Sequence, residues 1–201
     1  MIPLIFAAAR GARECPAEEN VNSRLEFFAD SIFRSFMRQF YDTFATPVGD
    51  FSVAINAAGG VVATAFGGLE ELGTRFDPDE VAREPARLAD VRREVGEYFS
   101  GHRRAFKVEL SASGTPFQRS VWKVLLGIPF GETRTYSQVA AELGNPEAAR
   151  AVGRASATNP ICLLVPCHRV VGAGGALVGF AFGEDVKRWL LNHENALPMA
   201  S

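Results

Sequence analysis

The sequence predicts an α+β protein: a small N-terminal α/β domain built on an antiparallel sheet, then a mainly helical, winged helix-turn-helix-like domain that carries a candidate nucleophilic cysteine. Three observations lead there. Phe51, Val53 and Ile55 alternate with small or polar residues, and a second apolar stretch, Val61 to Phe66, follows the turn residues Asn56-Ala57-Ala58-Gly59-Gly60. From residue 115 the apolar spacing becomes helical. Finally, two of the C-terminal helices are separated by a very short turn.

The boundaries follow from composition. Residues 1–36 show no sustained period and read as an N-terminal extension, disordered or helical; Leu25, Phe28, Ile32, Phe36 and Phe40 fall near one helical face from Ser23 to Phe40. The opening M-I-P-L-I-F-A-A-A-R lacks a leading basic region and has a short apolar run, so it is not read as a signal peptide. Met37 is a candidate start codon; mass spectrometry of the native protein finding residues 1–36 would exclude that.

Residues 37–112 form the sheet domain. Tyr41 to Ala45 precedes the turn Thr46-Pro47-Val48-Gly49, and with the two later strands makes a meander. Pro85 to Phe99 is expected to be helical, with Leu88, Val91, Val95 and Phe99 on one stripe, and Gly101 ends it. Phe106 to Leu110 alternates again and is expected to add a strand. His102 and the Arg92-Arg93 pair read as solvated surface.

Residues 113–201 form the second domain, after the linker Ser111-Ala112-Ser113-Gly114. Thr115-Pro116 starts a helix, with Thr as N-cap and Pro in the first position. Phe117, Val121, Val124, Leu125 and Ile128 form its buried face, with Trp122 in the core. Thr135 and Gln138 have capping-box spacing, and Gly144 stops that helix. Asn145-Pro146-Glu147 is expected to cap the next, which runs to about Ala157. That helix is nearly all small residues, with Arg150 and Arg154 between them. A plain helical hairpin has the same outline, but a small-residue face lets a backbone or a DNA groove approach closely.

The chemistry centres on Asn159 to Val171, N-P-I-C-L-L-V-P-C-H-R-V-V. An apolar run, Ile161 to Val165, ends on Pro166 and presents Cys167, His168 and Arg169. A thiolate is the reactive form of cysteine, and a neighbouring base or cation promotes it. His168 and Arg169 are such neighbours in sequence. Taken alone, the pattern fits a nucleophile and an ordinary buried cysteine equally.

Composition narrows the classes. The net charge is −2, which excludes a bulk polycation. Residues 111–201 hold 8 Lys+Arg against 6 Asp+Glu, while residues 1–110 hold 13 against 17, which allows a DNA-facing second half without demanding one. Cys15, Cys162 and Cys167 make an odd count without Cys-x-x-Cys spacing, against a disulfide framework or a zinc knuckle. His102, His168 and His193 make no metal pattern. No run spans a membrane. A reactive thiol fits a reducing, cytoplasmic setting.

P-C-H-R-V-V, preceded by Asn159-Pro160 and followed after a glycine-rich loop by W-L-L-N-H-E (Trp189 to Glu194), resembles the O6-alkylguanine-DNA alkyltransferases, strongly over residues 113–197 and weakly over 40–112. The resemblance implies irreversible, single-turnover transfer of a methyl or larger alkyl group from O6-alkylguanine, and O4-alkylthymine, in double-stranded DNA to Cys167, without metal or cofactor, by a monomer. It implies Glu194 as orienter, His168 as base acting through a water, and Asn159 as the residue holding the cysteine's turn. Arg150 matches an arginine inserted into the base stack from the minor groove while the target base is flipped out; a phosphate contact is its plainer role. Tyr136 matches a tyrosine that contacts the flipped guanine, and with Ser137 and Ala149 it completes the DNA-facing set. Val170, Phe180 and Ala181 are expected to line the substrate pocket with Tyr136, on a loop from Gly172 to Gly183. Here the sequence departs from the family pattern: a tyrosine is usual at Phe180 and a polar residue at Ala181. His193 reads as packing or surface. Three alternatives stand beside this. An alkyltransferase-like protein binds damaged DNA without transfer, but lacks the cysteine that is present here. A cysteine hydrolase needs an oxyanion motif that is not evident. A helix-turn-helix regulator leaves P-C-H-R and Glu194 unexplained.

Overall fold

The computed structural model describes residues 39–72 and 81–197. Four strands form one sheet: β1 (Gln39–Thr46), β2 (Gly49–Ile55), β3 (Val61–Phe66) and β4 (Val81–Arg83), in the order β3-β2-β1-β4. β1 and β2 form a hairpin pairing Phe44 with Phe51, and β3 adds antiparallel to β2 with an irregularity at Ala54/Ile55. The expected meander is therefore present. It gains a strand not foreseen, since β4 pairs parallel to β1. Three residues carry too little alternation to announce a strand. α1 (Leu69–Leu72) follows β3.

Gln39 and Phe40 belong to β1, so the helix expected to reach Phe40 does not include them; residues 23–38 of that expectation lie outside the described residues. Phe40 keeps its place in a core, because its burial is satisfied by sheet packing as well as by a helical stripe. Residues 106–110 do not form a strand. Leu110 makes only an isolated bridge to Val61, and flanking backbone bonds from Val61 N to Glu109 O and from Ser111 N to Val61 O cover the free edge of β3.

A 3-10 turn (Pro85–Leu88) leads into α2 (Ala89–Phe99), which buries Val91, Val95 and Tyr98. Arg92 lies at the surface as expected, with a partner the sequence did not show. It is half exposed, but its guanidinium pairs with Asp42 Oδ2 at 3.0 Å, and Arg83 pairs with the other oxygen at 3.2 Å. Asp42 is 0% exposed, so both arginines compensate a buried carboxylate.

The second half is helical. α3 (Pro116–Leu126) carries the expected Thr115 cap as a full capping box with Gln118. β5 (Arg134–Thr135) precedes α4 (Tyr136–Glu142), which has the same device in Thr135 and Gln138. A 3-10 turn (Pro146–Ala148) then opens α5 (Ala149–Ala157). Asn145 does not cap it: its side chain makes no cap bond, because the 3-10 turn intervenes. Trp122 Nε1 donates to Ala155 O at 2.9 Å and locks α3 to α5. β6 (Val170–Val171) pairs with β5, and α6 (Glu184–His193) is the last helix among the described residues. Asn195 takes φ 55°, the left-handed conformation that terminates helices.

One apolar core runs through both halves, from Phe51 and Val53 of the sheet to Val121, Leu125, Val139 and Leu190 of the helices. Two connections place the cysteine segment. Thr64 N donates to Pro160 O at 2.9 Å and Thr64 Oγ1 to Cys162 O at 2.7 Å, so β3 supports the residues leading to Cys167. The β5–β6 pair sets Thr135 opposite Val171, which brings the start of α4 beside the end of the Cys-His-Arg turn.

Candidate active site

Asn159 begins the site. Its Oδ1 accepts from Ile161 N at 3.0 Å, and its Nδ2 donates to Val165 O at 2.9 Å. These two bonds pin both ends of a buried loop in which Leu163 holds φ 69°. A leucine in the left-handed region is strained and persists only where surrounding structure over-determines it. Pro166 leads into a one-turn 3-10 helix, Cys167–Arg169. The tight turn separates adjacent side chains widely, so Cys167 and Arg169 do different jobs. Cys167 is 7% exposed and His168 0%.

His168 Nε2 and Arg169 both meet Glu194, from the end of α6. Nε2 lies 2.9 Å from Oε1; Arg169 Nε donates to Oε2 at 2.8 Å and Nη2 to Oε1 at 3.0 Å. The pairing is a two-pronged guanidinium–carboxylate contact, the strong form of such bonds. Arg169 Nη1 also donates to Ile128 O at 2.6 Å. An ionised carboxylate only accepts, so Nε2 carries the imidazole proton and Nδ1 is the acceptor. Nδ1 is buried and has no hydrogen-bond partner among the described residues. Gly131 N reaches Oε2 at 3.3 Å, and Tyr98 Oη donates to Oε1 at 2.8 Å. Gly131 has φ 84°, and a Cβ there would sit 3.2 Å from Glu194 O, so the position suits glycine alone.

The loop after β6 closes over the opposite side. Tyr136 Oη donates to Val178 O at 2.9 Å. Lys187, 0% exposed on α6, donates from Nζ to Val170 O at 2.6 Å and to Val178 O at 2.7 Å. Gly179 lies against the phenol: with φ 71°, its Cβ would come 2.6 Å from Tyr136 Oη. Phe180 packs on Phe66 of β3 and on Phe182, with ring centroids 6.4 and 5.7 Å away.

Comparison with known proteins decides the family. Residues 116–196 match the family model described as 6-O-methylguanine DNA methyltransferase, DNA binding domain. The chain is 40% identical over 157 residues to the methylated-DNA–protein-cysteine methyltransferase of Methanosarcina acetivorans, covering 78% of this chain and 99% of that one. The chain belongs to this family. The corresponding protein of Mycobacterium tuberculosis is 42% identical over 160 residues, covering 78% of this chain and 92% of the relative. The crystal structure of the M. tuberculosis O6-methylguanine methyltransferase superposes with a TM-score of 0.70 at 38% identity, covering 81% of this chain and 96% of that one. A crystal structure of the M. tuberculosis protein in complex with DNA aligns equally well, with a TM-score of 0.70 and 37% identity over 78% of this chain and 93% of that one.

In this methyltransferase fold the charges around Cys167 are buried, and burial dominates each one. It pushes the Cys167 thiol up from its ordinary range, against the Asn159 side chain, the Lys187 charge and the backbone N–H groups of Cys167 and His168. Burial thus works against ionisation of this thiol at rest. Arg169 is committed to Glu194, and the nearby cation is Lys187. Burial also pushes His168 down; Glu194 opposes this, while Arg169 and Lys187 add to it. Burial lowers Lys187 to about 8, opposed by charge on Cys167 and on Glu184 at the start of α6. For Glu194 burial works upward, but His168 and Arg169 outweigh it and hold the carboxyl at about 2. Burial, then the charge on Cys167, raises the Tyr136 phenol.

The predicted residues fall into three groups. Cys167, His168, Glu194 and Asn159 come together in one buried cluster, and Tyr136 faces it across the loop. Val170 is fully buried and offers its carbonyl to Lys187, while Phe180 is half-buried and Ala181 exposed. Arg150 and Ser137 stand exposed on α5 and α4, with Ala149 half-buried beside Arg150. Sequence reasoning missed Lys187, Tyr98 and Gly131, and misjudged Arg169. Lys187 left a signal: it shares a face with Leu190, Leu191 and Glu194, where a lysine is out of place unless its amine is satisfied. Among the described residues no group of three His, Cys, Asp or Glu is set to hold a metal, and no helix is long and apolar enough to cross a membrane.

Proposed function

We propose that the protein repairs DNA by moving the alkyl group of O6-alkylguanine, and of O4-alkylthymine, irreversibly onto its own Cys167. The observation that carries this is the His168 imidazole, adjacent in sequence to the buried Cys167, whose Nε2–H is held by Glu194 while Nδ1 is left as a buried acceptor with no partner among the described residues. His168 takes the thiol proton through a bridging water as sulfur attacks the alkyl carbon in line with the C–O6 bond. The S–C bond forms, the C–O6 bond breaks, and its electron pair leaves on the guanine. The proton removed from sulfur ends on the guanine ring, so thiol plus O6-methylguanine gives S-methylcysteine plus guanine. Glu194 stays ionised throughout; it fixes the tautomer and stabilises the transient imidazolium.

Tyr136 turns its hydroxyl to the base and neutralises charge developing on the leaving guanine. Val178 O does not lose its partner when this happens, because Lys187 holds it too. A base stacked in duplex DNA is out of reach of a buried thiol, so the nucleotide is flipped from the minor-groove side and Arg150 fills the gap, with Ser137 and Ala149 against the backbone. Val170, Phe180 and Ala181 border the pocket. Residues 37–112 support and residues 113–201 bind and react; the protein acts as a monomer in the reducing cytoplasm, where the thiol survives. The thioether is stable and no group regenerates the thiol, so each molecule reacts once.

Mass spectrometry after incubation with an O6-methylguanine duplex tests the proposal. One methyl group is expected on the Cys167 peptide, stoichiometrically, and none in Cys167→Ala. Tight binding without a mass gain would overturn it in favour of a damage-binding protein.

A further inference from the structure

Tyr98 lies in α2, 96 residues before Glu194, and among the described residues of the sheet half it alone makes a side-chain hydrogen bond to the His168–Glu194 pair. Its ring is fully buried. His193, Phe99, Phe106 and Phe130 surround it, with centroids 5.1, 5.3, 5.5 and 6.1 Å away. Its backbone is tied as well, since His193 Nε2 bonds Tyr98 O at 2.7 Å. A ring held this tightly aims its hydroxyl at one point.

That point is Glu194 Oε1, the oxygen that also accepts from His168. Oε1 takes three donors: Tyr98 Oη at 2.8 Å, His168 Nε2 at 2.9 Å and Arg169 Nη2 at 3.0 Å. Oε2 takes Arg169 Nε and Gly131 N. With both oxygens occupied, the carboxylate has one orientation, and its charge is divided among donors instead of being spent on the imidazole alone. His168 and Arg169 already hold the carboxyl ionised against burial, and the phenol is not among the groups that do so.

We infer that Tyr98 is a positioning residue of the transfer reaction, fixing Glu194 Oε1 toward His168 and sharing that oxygen's charge. The inference rests on the proposal that Cys167 is the alkyl acceptor with His168 as its base. Its consequence has a definite sign. His168 works as a base only when neutral. Glu194 draws a proton onto it, whereas Arg169 and Lys187 repel one. Among the described residues, the Cys167 thiol, which meets the His168 backbone N–H, and His193, against the Tyr98 ring, are further titratable groups at the cluster. Removing the Tyr98 hydroxyl concentrates charge on the Oε1–His168 bond and makes the imidazolium easier to form. The acid limb of the rate profile therefore moves to higher pH.

The test is the single-turnover rate of methyl transfer from an O6-methylguanine duplex, measured against pH for the full chain. Tyr98→Phe keeps the ring and is expected to shift the midpoint of the acid limb upward by about one pH unit, the partial loss of one hydrogen bond to a charged group. Site-specific replacement of Tyr98 by 3,5-difluorotyrosine keeps ring and hydroxyl but makes a stronger donor, and is expected to shift the limb downward. It also serves if Tyr98→Phe does not fold. A midpoint that stays at the wild-type value in the folded variants, with rates merely scaled, would overturn the inference. Absence of methyl transfer in the wild type would instead overturn the function on which it rests.

Discussion

In residues 39–110, Arg83, Arg87, Arg92, Arg93 and Arg103 each face a carboxylate, whereas Arg150 and Arg154 on α5 face none among the described residues. The contrast reverses inside the protein. The sheet half buries mainly aromatic and aliphatic side chains around Asp42 and Glu94, while the helical half buries His168, Arg169, Lys187 and Glu194 within one short segment and one helix. Buried ions are costly, and well-packed apolar residues of the same volume are often as stable or more so. The sheet half pairs these arginines with carboxylates. The helical half leaves Arg150 and Arg154 without a carboxylate partner among the described residues and buries its charges around Cys167.

Four substitutions break or sharpen that contrast. Glu194→Gln strikes the buried charge directly. Single-turnover transfer is expected to fall about 100-fold or more, the lower range for loss of acid–base assistance. Stability is expected to fall by roughly 3–5 kcal/mol, because Arg169 is left buried without its anion. Chemical denaturation followed against pH adds a sign. Glu194 titrates at about 2 in the folded protein, below its unfolded value. Its contribution is thus present above the unfolded pKa and lost as pH falls toward 2, and the Gln variant should lack that acid dependence.

Arg150→Ala addresses the free cations. Transfer from duplex DNA is expected to slow by about 10- to 100-fold, the scale of losing a few kcal/mol of help with unstacking. Reaction with the free base O6-benzylguanine should be unchanged, since no stack is opened; equal losses on both substrates would mean that Arg150 acts on the pocket. Asp42→Asn makes the reverse comparison. The sheet-half ion pair involves half-exposed arginines, so roughly 1–2 kcal/mol of stability is expected to go, with the transfer rate of the folded protein intact. Arg154→Ala should have the smallest effect: a few-fold weaker binding, uniform across sequences, with the slope of log affinity against log salt reduced by about one.

Local signals in the chain were readable because their physics is local. Thr115 with Gln118 and Thr135 with Gln138 form capping boxes from atoms three residues apart, and the strands over Phe51–Ile55 and Val61–Phe66 form where the apolar residues and the turn between them placed them, although both faces of β2 are buried, with Ala54 packing in a second cluster opposite Phe51 and Val53. The Asn145 cap and the 106–110 strand failed for the complementary reason. A 3-10 turn displaced the first, and the free edge of β3 took only single bonds from the second.

By itself the sequence determined the order of elements, the cysteine–histidine adjacency and, through its family resemblance, the pairing of His168 with Glu194. Only the tertiary structure decided that Arg169 turns from the thiol to the carboxylate, that Lys187 is the cation near Cys167, and that Tyr98 reaches Glu194 from the other half. The reason is physical. A capping residue chooses among neighbours fixed by chain connectivity, but a buried charge chooses its partners from whatever the packing of distant elements brings within about 3 Å. No pattern along the chain encodes that choice.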